Sequence, residues 1–376
     1  MGNTTGNASN LSAVINKTCR EPEVLLPLEK PLFQYVYPII LFVCVLGNST
    51  NLVVYQHRFL RASPTIRLLA VKAVVNTLCI MALLPRFFQS LPADLKSPSM
   101  EQLYWKSLPA TLFLINLFGT VAIWLTVAVT VESYILVAFP AHAKRWCSMR
   151  NANLCILLCF AGAAGLQMFY LISRRVKSFK CSDSEVYYYL LASGHPTYEV
   201  FYYWFNSIST LLLPMVAMLV LTAFIYHLLF WARNRFRKGS EQKRCVTRLS
   251  LATTACHLVF EMPHVANFII AATEERPTSQ WHRSFPWLTF VATANFLSML
   301  DASVTFVVYF LCSQRFRQIW FFKFCGKKNE NYVNQLVLLQ QSQERSWSNG
   351  TGPRSGYSVS TRRTKLSKED ATSYSL

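Results

Sequence analysis

Residues 33–55 read FQYVYPIILFVCVLGNSTNLVVY, a run without a single Asp, Glu, Lys or Arg. A helix rises about 1.5 Å per residue, so about 20 apolar residues cross the roughly 30 Å hydrocarbon core of a bilayer. The run is long enough to do so. Directly after it come Arg58, Arg61 and Arg67. The same alternation of apolar run and basic loop repeats along the chain. Further runs of spanning length lie at 66–88, 107–137, 152–172, 200–231, 246–272 and 285–311. The pattern predicts an all-α membrane protein, a seven-transmembrane helix bundle over 33–311. A polar segment, 1–32, precedes the bundle. After it, residues 314–325 (QRFRQIWFFKFC) form a short amphipathic stretch whose aromatics suit the membrane interface. Residues 326–376 are polar, Ser/Thr-rich and basic, and are expected to be a disordered tail.

Composition agrees with this reading. Only 15% of the residues are charged, against about 25% in soluble domains. The formal charge of +19 would suggest a nucleic-acid partner in a soluble protein. Here the basic residues sit in short loops between apolar runs, so anionic lipid is the expected partner and nucleic acid is excluded. Lys144, Arg145 and Arg150 fill one loop, Arg233, Arg235, Arg237, Lys238, Lys243 and Arg244 another, and Arg315, Arg317, Lys323, Lys327 and Lys328 open the tail. With seven spans these share one side with Arg58 and Arg61. The positive-inside rule therefore places the N-terminus outside and the tail in the cytoplasm. Asn3, Asn7, Asn10 and Asn16 each begin an N-x-S/T sequon within the first 18 residues, as an external, glycosylated segment would. Those residues lack an apolar leader core, so the first span is expected to serve as the targeting signal. The expected location is the plasma membrane.

No G-x-S-x-G, H-E-x-x-H or Walker motif and no Cys/His metal spacing is present, so neither an enzyme nor a metal site is expected, and no cofactor. The last span has no lysine for a retinal Schiff base. Cys325, just past the amphipathic stretch, is either a palmitoylation site or a plain thiol.

Several local patterns resemble the rhodopsin-like G-protein-coupled receptors, nearest the FMRFamide-type neuropeptide receptors. Glu132-Ser133-Tyr134-Ile135-Leu136-Val137-Ala138-Phe139-Pro140 is similar to the D-R-Y-x-x-x-V-x-x-P run ending the family's third helix. Gly47 and Asn51 match its G-x-x-x-N. Pro85 follows Asn76 by the common interval, Pro214 and Pro263 stand in the fifth and sixth helices, and Tyr309 and Phe316 end the seventh and enter the eighth. The departures are as specific. Ser133 replaces the third-helix arginine, Asn76 the second-helix aspartate, Glu261 the sixth-helix tryptophan, and Thr305-Phe306 the N-P pair. Leu108 stands where a cysteine usually pairs with the second external loop.

The resemblance implies a receptor that passes ligand binding outside to a G protein or another adaptor inside. A neuropeptide is the expected ligand. A small-molecule chemosensory receptor and a receptor without ordinary G-protein activation are the alternatives. By family register Arg86, Asn116, Glu261, His264, Phe268, Asn295 and Asp301 face the ligand cavity. Lys72, Asn76, Glu132, Ser133, Tyr134 and Tyr309 form the switch or G-protein face. Cys19 and Cys181 are expected to pair with each other, given Leu108. Glu261 and Asp301 are expected to lie close together and receive a cationic ligand group, unless Asp301 is held internally. Lys72 either snorkels to the cytoplasmic interface or pairs with Glu132 or Asp301.

Overall fold

The computed structural model describes residues 28–180, 186–192, 196–231, 241–273 and 285–324. Six of its helices are long and apolar enough to cross a membrane: α1 Glu29–Tyr55, α2 Pro64–Ser90, α3 Pro98–Ala138, α4 Met149–Ser173, α5 Tyr198–Phe230 and, later in the chain, Phe285–Cys312. Between the last two lies α6, Glu241–Thr273, which carries several charges; Phe285–Cys312 is therefore α7, and Gln314–Phe324 is α8.

Local chemistry sets the ends and bends. Ser97 and Ser148 accept hydrogen bonds from the backbone N–H groups of Met100 and Asn151, capping α3 and α4. Pro64 and Pro98 sit in first turns, where a missing N–H costs nothing. Inside helices proline removes a bond, and the chain widens before it. The π-turns Leu32–Val36 and Ile208–Leu212 each end two residues before a proline, Pro38 and Pro214.

The bundle is apolar outside and polar within. Ile39, Phe42, Leu46, Leu157, Leu158 and Leu213 are exposed, while Asn48, Lys72, Asn76, Thr130, Ser133 and Asp301 are buried. In water that arrangement would expose large apolar patches. In a bilayer the outer residues are solvated by lipid, and the inner polar groups bind one another. Tyr37 donates to the Ile80 carbonyl at 2.7 Å and Asn48 to the Ala302 carbonyl at 3.2 Å, joining α1 to α2 and α7. Gly47 permits the second contact. A Cβ there would stand 3.2 Å from Phe306 Cβ. Gly47→Leu should separate α1 from α7 and destabilise the fold by about 1–3 kcal/mol. Thermal unfolding of the purified protein checks this; an unchanged midpoint would remove the role given to Gly47.

At the end of the bundle where α4 meets α5, strands β1 (Arg174–Lys180) and β2 (Val186–Ala192) pair antiparallel, with Arg174 opposite Ala192 and Lys180 opposite Val186. Arg174, Arg175, Lys177 and Lys180 make β1 strongly basic. Val186–Ala192 is rich in aromatic and apolar residues, which suit a strand. One face of the ribbon packs on α3, where Trp105 stacks on Tyr188 at 6.4 Å and Leu108 joins Val176 and Leu190. At the opposite end α8 is anchored by Phe316 and Ile319, both fully buried, and Phe316 meets the Tyr309 ring edge-on at 5.6 Å.

Candidate functional site

His257 and Glu261 are four residues apart on α6 and so share one helical face. That face meets α7, which presents Ser298 and Asp301, while α2 brings in Lys72. His257 Nδ1 lies 2.9 Å from Asp301 Oδ2, and Lys72 Nζ lies 3.9 Å from the same oxygen. Ser298 donates to Glu261 Oε1 at 2.5 Å. All the ionisable members are buried, with Lys72 at 3% and His257 at 2% exposure. The lysine therefore does not snorkel: its stem ends against Asp301, inside the bundle.

The two carboxylates are not equivalent. Asp301 has an ammonium and an imidazole beside it. Glu261 has only a neutral hydroxyl, and no cation lies against it among the described residues. An isolated charge is expensive at membrane depth, on the order of 2.5–3.5 kcal/mol on insertion scales. Glu261 is thus the acid of the cluster with attraction left over for an incoming cation. The participation of His257 is not evident from sequence, where a lone mid-helix histidine reads as packing. Its four-residue spacing from Glu261 is the feature that marks it.

Asn295 points its amide toward Glu29 Oε1 at 3.5 Å, so the start of α1 also contributes an acid, one the sequence reading leaves in the external segment. The Arg86 guanidinium lies 5.8 Å from the Phe33 ring centre, a cation–π contact. Asn116 donates to its own helix, at the Leu112 carbonyl, 2.8 Å away. His264 Nδ1 is buried without a hydrogen-bond partner. The side chain of Phe268 lies outside the described residues, as do Asn3, Asn7, Asn10, Asn16, Cys19, Cys181 and Cys325.

The opposite end of the bundle contains a ladder of hydroxyls. Ser133 on α3 is fully buried and donates to Ser250 Oγ on α6 at 2.5 Å, and Ser250 donates to the Val129 carbonyl at 3.2 Å. One turn further in, Thr130 and Thr254 are 2.8 Å apart. Thr253 meets Tyr309 of α7 at 2.5 Å. Neutral bonds here tie α6 to α3 and α7. Glu132, beside Ser133, has the Thr65 hydroxyl as its hydrogen-bond partner, and no ion-pair partner among the described residues. Tyr134 packs its ring against Phe139 and Phe224, and Asn76 is buried one turn beyond Lys72.

A large apolar groove of about 1250 Å³ lies elsewhere, between α3, α4 and α5, walled by Trp124, Gly165, Phe169, Tyr202 and Pro214. Exposed Ile172, Phe205 and Leu213 also line it. It therefore opens toward lipid, and none of its lining residues is charged. It does not adjoin the ionisable cluster.

The family model for the seven-transmembrane receptors of the rhodopsin family matches residues 104–304. Relatives include a probable G-protein coupled receptor of Caenorhabditis elegans, 25% identical over 82% of this chain and 74% of the relative. The sex peptide receptor of Drosophila melanogaster is 22% identical over 83% of this chain and 76% of its own length. The FMRFamide receptor of Drosophila melanogaster is 22% identical over 59% of this chain and 40% of its own.

Proposed function

The chain belongs to the rhodopsin family of seven-transmembrane receptors, and from that premise we propose that it binds a cationic neuropeptide through Glu261. It is a multi-pass membrane receptor and a signal transducer, not an enzyme. Its relatives include receptors named for peptides. In this reading α6 is the seventh span in number and the sixth in order, α8 lies in the interface, and the N-terminus is external at the plasma membrane. The basic loops support that orientation, and the four sequons of the first segment agree with it.

The observation that carries the ligand reading is the unequal neutralisation of the two acids. Asp301 is held by Lys72 and His257, which leaves Glu261 as the charge that a ligand guanidinium or ammonium meets. By family register Arg86, Asn116, His264, Phe268 and Asn295 would supply the remaining polar and aromatic contacts. Ligand binding then shifts the bundle toward a state in which α6 leaves α3 and a heterotrimeric G protein or another adaptor docks inside.

FMRFamide-type peptides are the natural first probe, scored by nucleotide exchange on G protein in membranes holding the full chain. Glu261→Gln keeps the hydrogen bond to Ser298 and removes the charge. It should weaken the response to arginine-containing peptides about tenfold, a change of about 1.4 kcal/mol. It should leave the response to the same peptide with its arginine replaced by alanine unchanged. Equal potency of the arginine peptide on both receptors would remove the cationic-ligand reading.

A further inference from the structure

We propose that His257, Glu261 and Asp301 form a binding site for a divalent transition metal, zinc in particular, in the core of the bundle. Their ligand atoms lie within 4.8 Å of one another and all three side chains are buried. A tetrahedral zinc site places oxygen and nitrogen donors about 2.0–2.2 Å from the ion. Of the three, Glu261 has the longest side chain and is the donor that has to approach the other two.

His257 Nδ1 lies 2.9 Å from Asp301 Oδ2, near the separation of two adjacent donors on one tetrahedral ion. Metal binding replaces the hydrogen bond between them: the ring proton moves to Nε2, and Nδ1 and Oδ2 both face the ion. Ser298, bonded to Glu261 Oε1, orients the third donor.

Charge favours a cation over an anion. With His257 neutral, two carboxylates face one ammonium, and the cluster carries a net negative charge at membrane depth. Lys72 neutralises only the Asp301 side. The donor set of one imidazole and two carboxylates suits zinc and disfavours calcium and magnesium, which prefer oxygen alone. A protein with three donors leaves a fourth position open toward the ligand cavity.

This site shares Glu261 with the proposed peptide contact and rests in part on that reading, so zinc and a cationic peptide should compete. The test uses the full receptor, purified in detergent. Micromolar zinc should raise its unfolding temperature, bind at one equivalent per chain, and lower the apparent affinity for an arginine-containing peptide. Magnesium and sodium at the same concentration should do none of these. His257→Gln should abolish zinc binding and, with it, the effect of zinc on peptide affinity. Glu261→Gln should abolish zinc binding and weaken the response to the arginine-containing peptide about tenfold. His264→Gln, a control histidine outside the trio, should leave zinc binding intact.

The two readings fail differently. If Glu261→Gln loses the peptide response and zinc still binds at one equivalent, the metal site is wrong and the peptide contact stands. If Glu261→Gln loses zinc and keeps the full peptide response, the metal site stands without the peptide contact. Absence of zinc binding by the wild-type chain, or equal binding by His257→Gln, overturns the metal site outright. Isotopic zinc retention by receptor in native membranes gives the same answer for a variant too unstable to purify.

Discussion

Replacing Lys72 with methionine will destabilise the receptor by about 3–5 kcal/mol, the range for removing one partner of a buried ion pair. The methionine has nearly the same length and fills the same space, so packing is held constant while the charge is lost. Asp301 then keeps only the imidazole of His257, and an anion at membrane depth is left under-compensated. The penalty belongs to the abandoned charge and not to the lost contact. The double variant Lys72→Met with Asp301→Asn should therefore recover most of the stability, because a neutral amide can still accept from His257. Thermal inactivation of the purified receptor and the surface-expressed fraction both measure this. A Lys72→Met receptor as stable as wild type, or a double variant worse than the single, would show that the pair contributes nothing. There is a functional corollary. Lys72 acts as a tethered cation at Asp301, so the wild-type receptor should bind ligand independently of sodium.

The parts legible in the sequence are those governed by long-range composition. Helices α1 to α5 and α7 are plain apolar runs, and hydropathy alone finds them. Helix α6 is different: Glu241, Lys243, Arg244, Arg248 and Glu261 dilute its apolar content, and its place rests on Pro263 and the family register. The β1–β2 ribbon was not legible, since neither strand alternates between polar and apolar residues, and the charges of Arg174, Arg175, Lys177 and Lys180 make the segment read as a loop. The site was half legible. A lysine and two acids at membrane depth demand partners, and that is evident from sequence. Which acid takes the lysine depends on the rotation of α2 and its axial offset from α7, which no local pattern encodes. The same holds for His257 and for Glu29, each given its role by a residue on a distant helix.

Opening the hydroxyl ladder should raise basal signalling, and the variant to make is Ser250→Ala with Thr254→Val. In the described state Ser133 donates to Ser250, Ser250 to the Val129 carbonyl, and Thr130 faces Thr254. All of these lie in an interface without exposed water, because Ser133, Ser250 and Thr254 are fully buried. Thr130 retains the Thr126 carbonyl at 2.8 Å after the change, so the loss falls on bonds between helices. Such bonds contribute about 0.6–1.7 kcal/mol each in membrane proteins. Two of them shift the ratio of open to closed forms by roughly tenfold or more. The small side chains introduced keep the helices able to pack, which separates a lost latch from a lost fold. Basal nucleotide exchange on G protein, measured without ligand and normalised to receptor number, should rise accordingly. Ser133→Arg should act in the same direction by a different cause, since its bulk enters a fully enclosed position and forces α6 away from α3. If the Ser250→Ala, Thr254→Val receptor folds and its basal exchange stays at the wild-type level, the ladder does not hold the inactive state. The replacement of the family's third-helix arginine by Ser133 then would have to be compensated elsewhere. If exchange rises, a neutral α3–α6 contact holds the inactive state of this chain, one that is little affected by salt and is released by relative movement of helices without any change of charge.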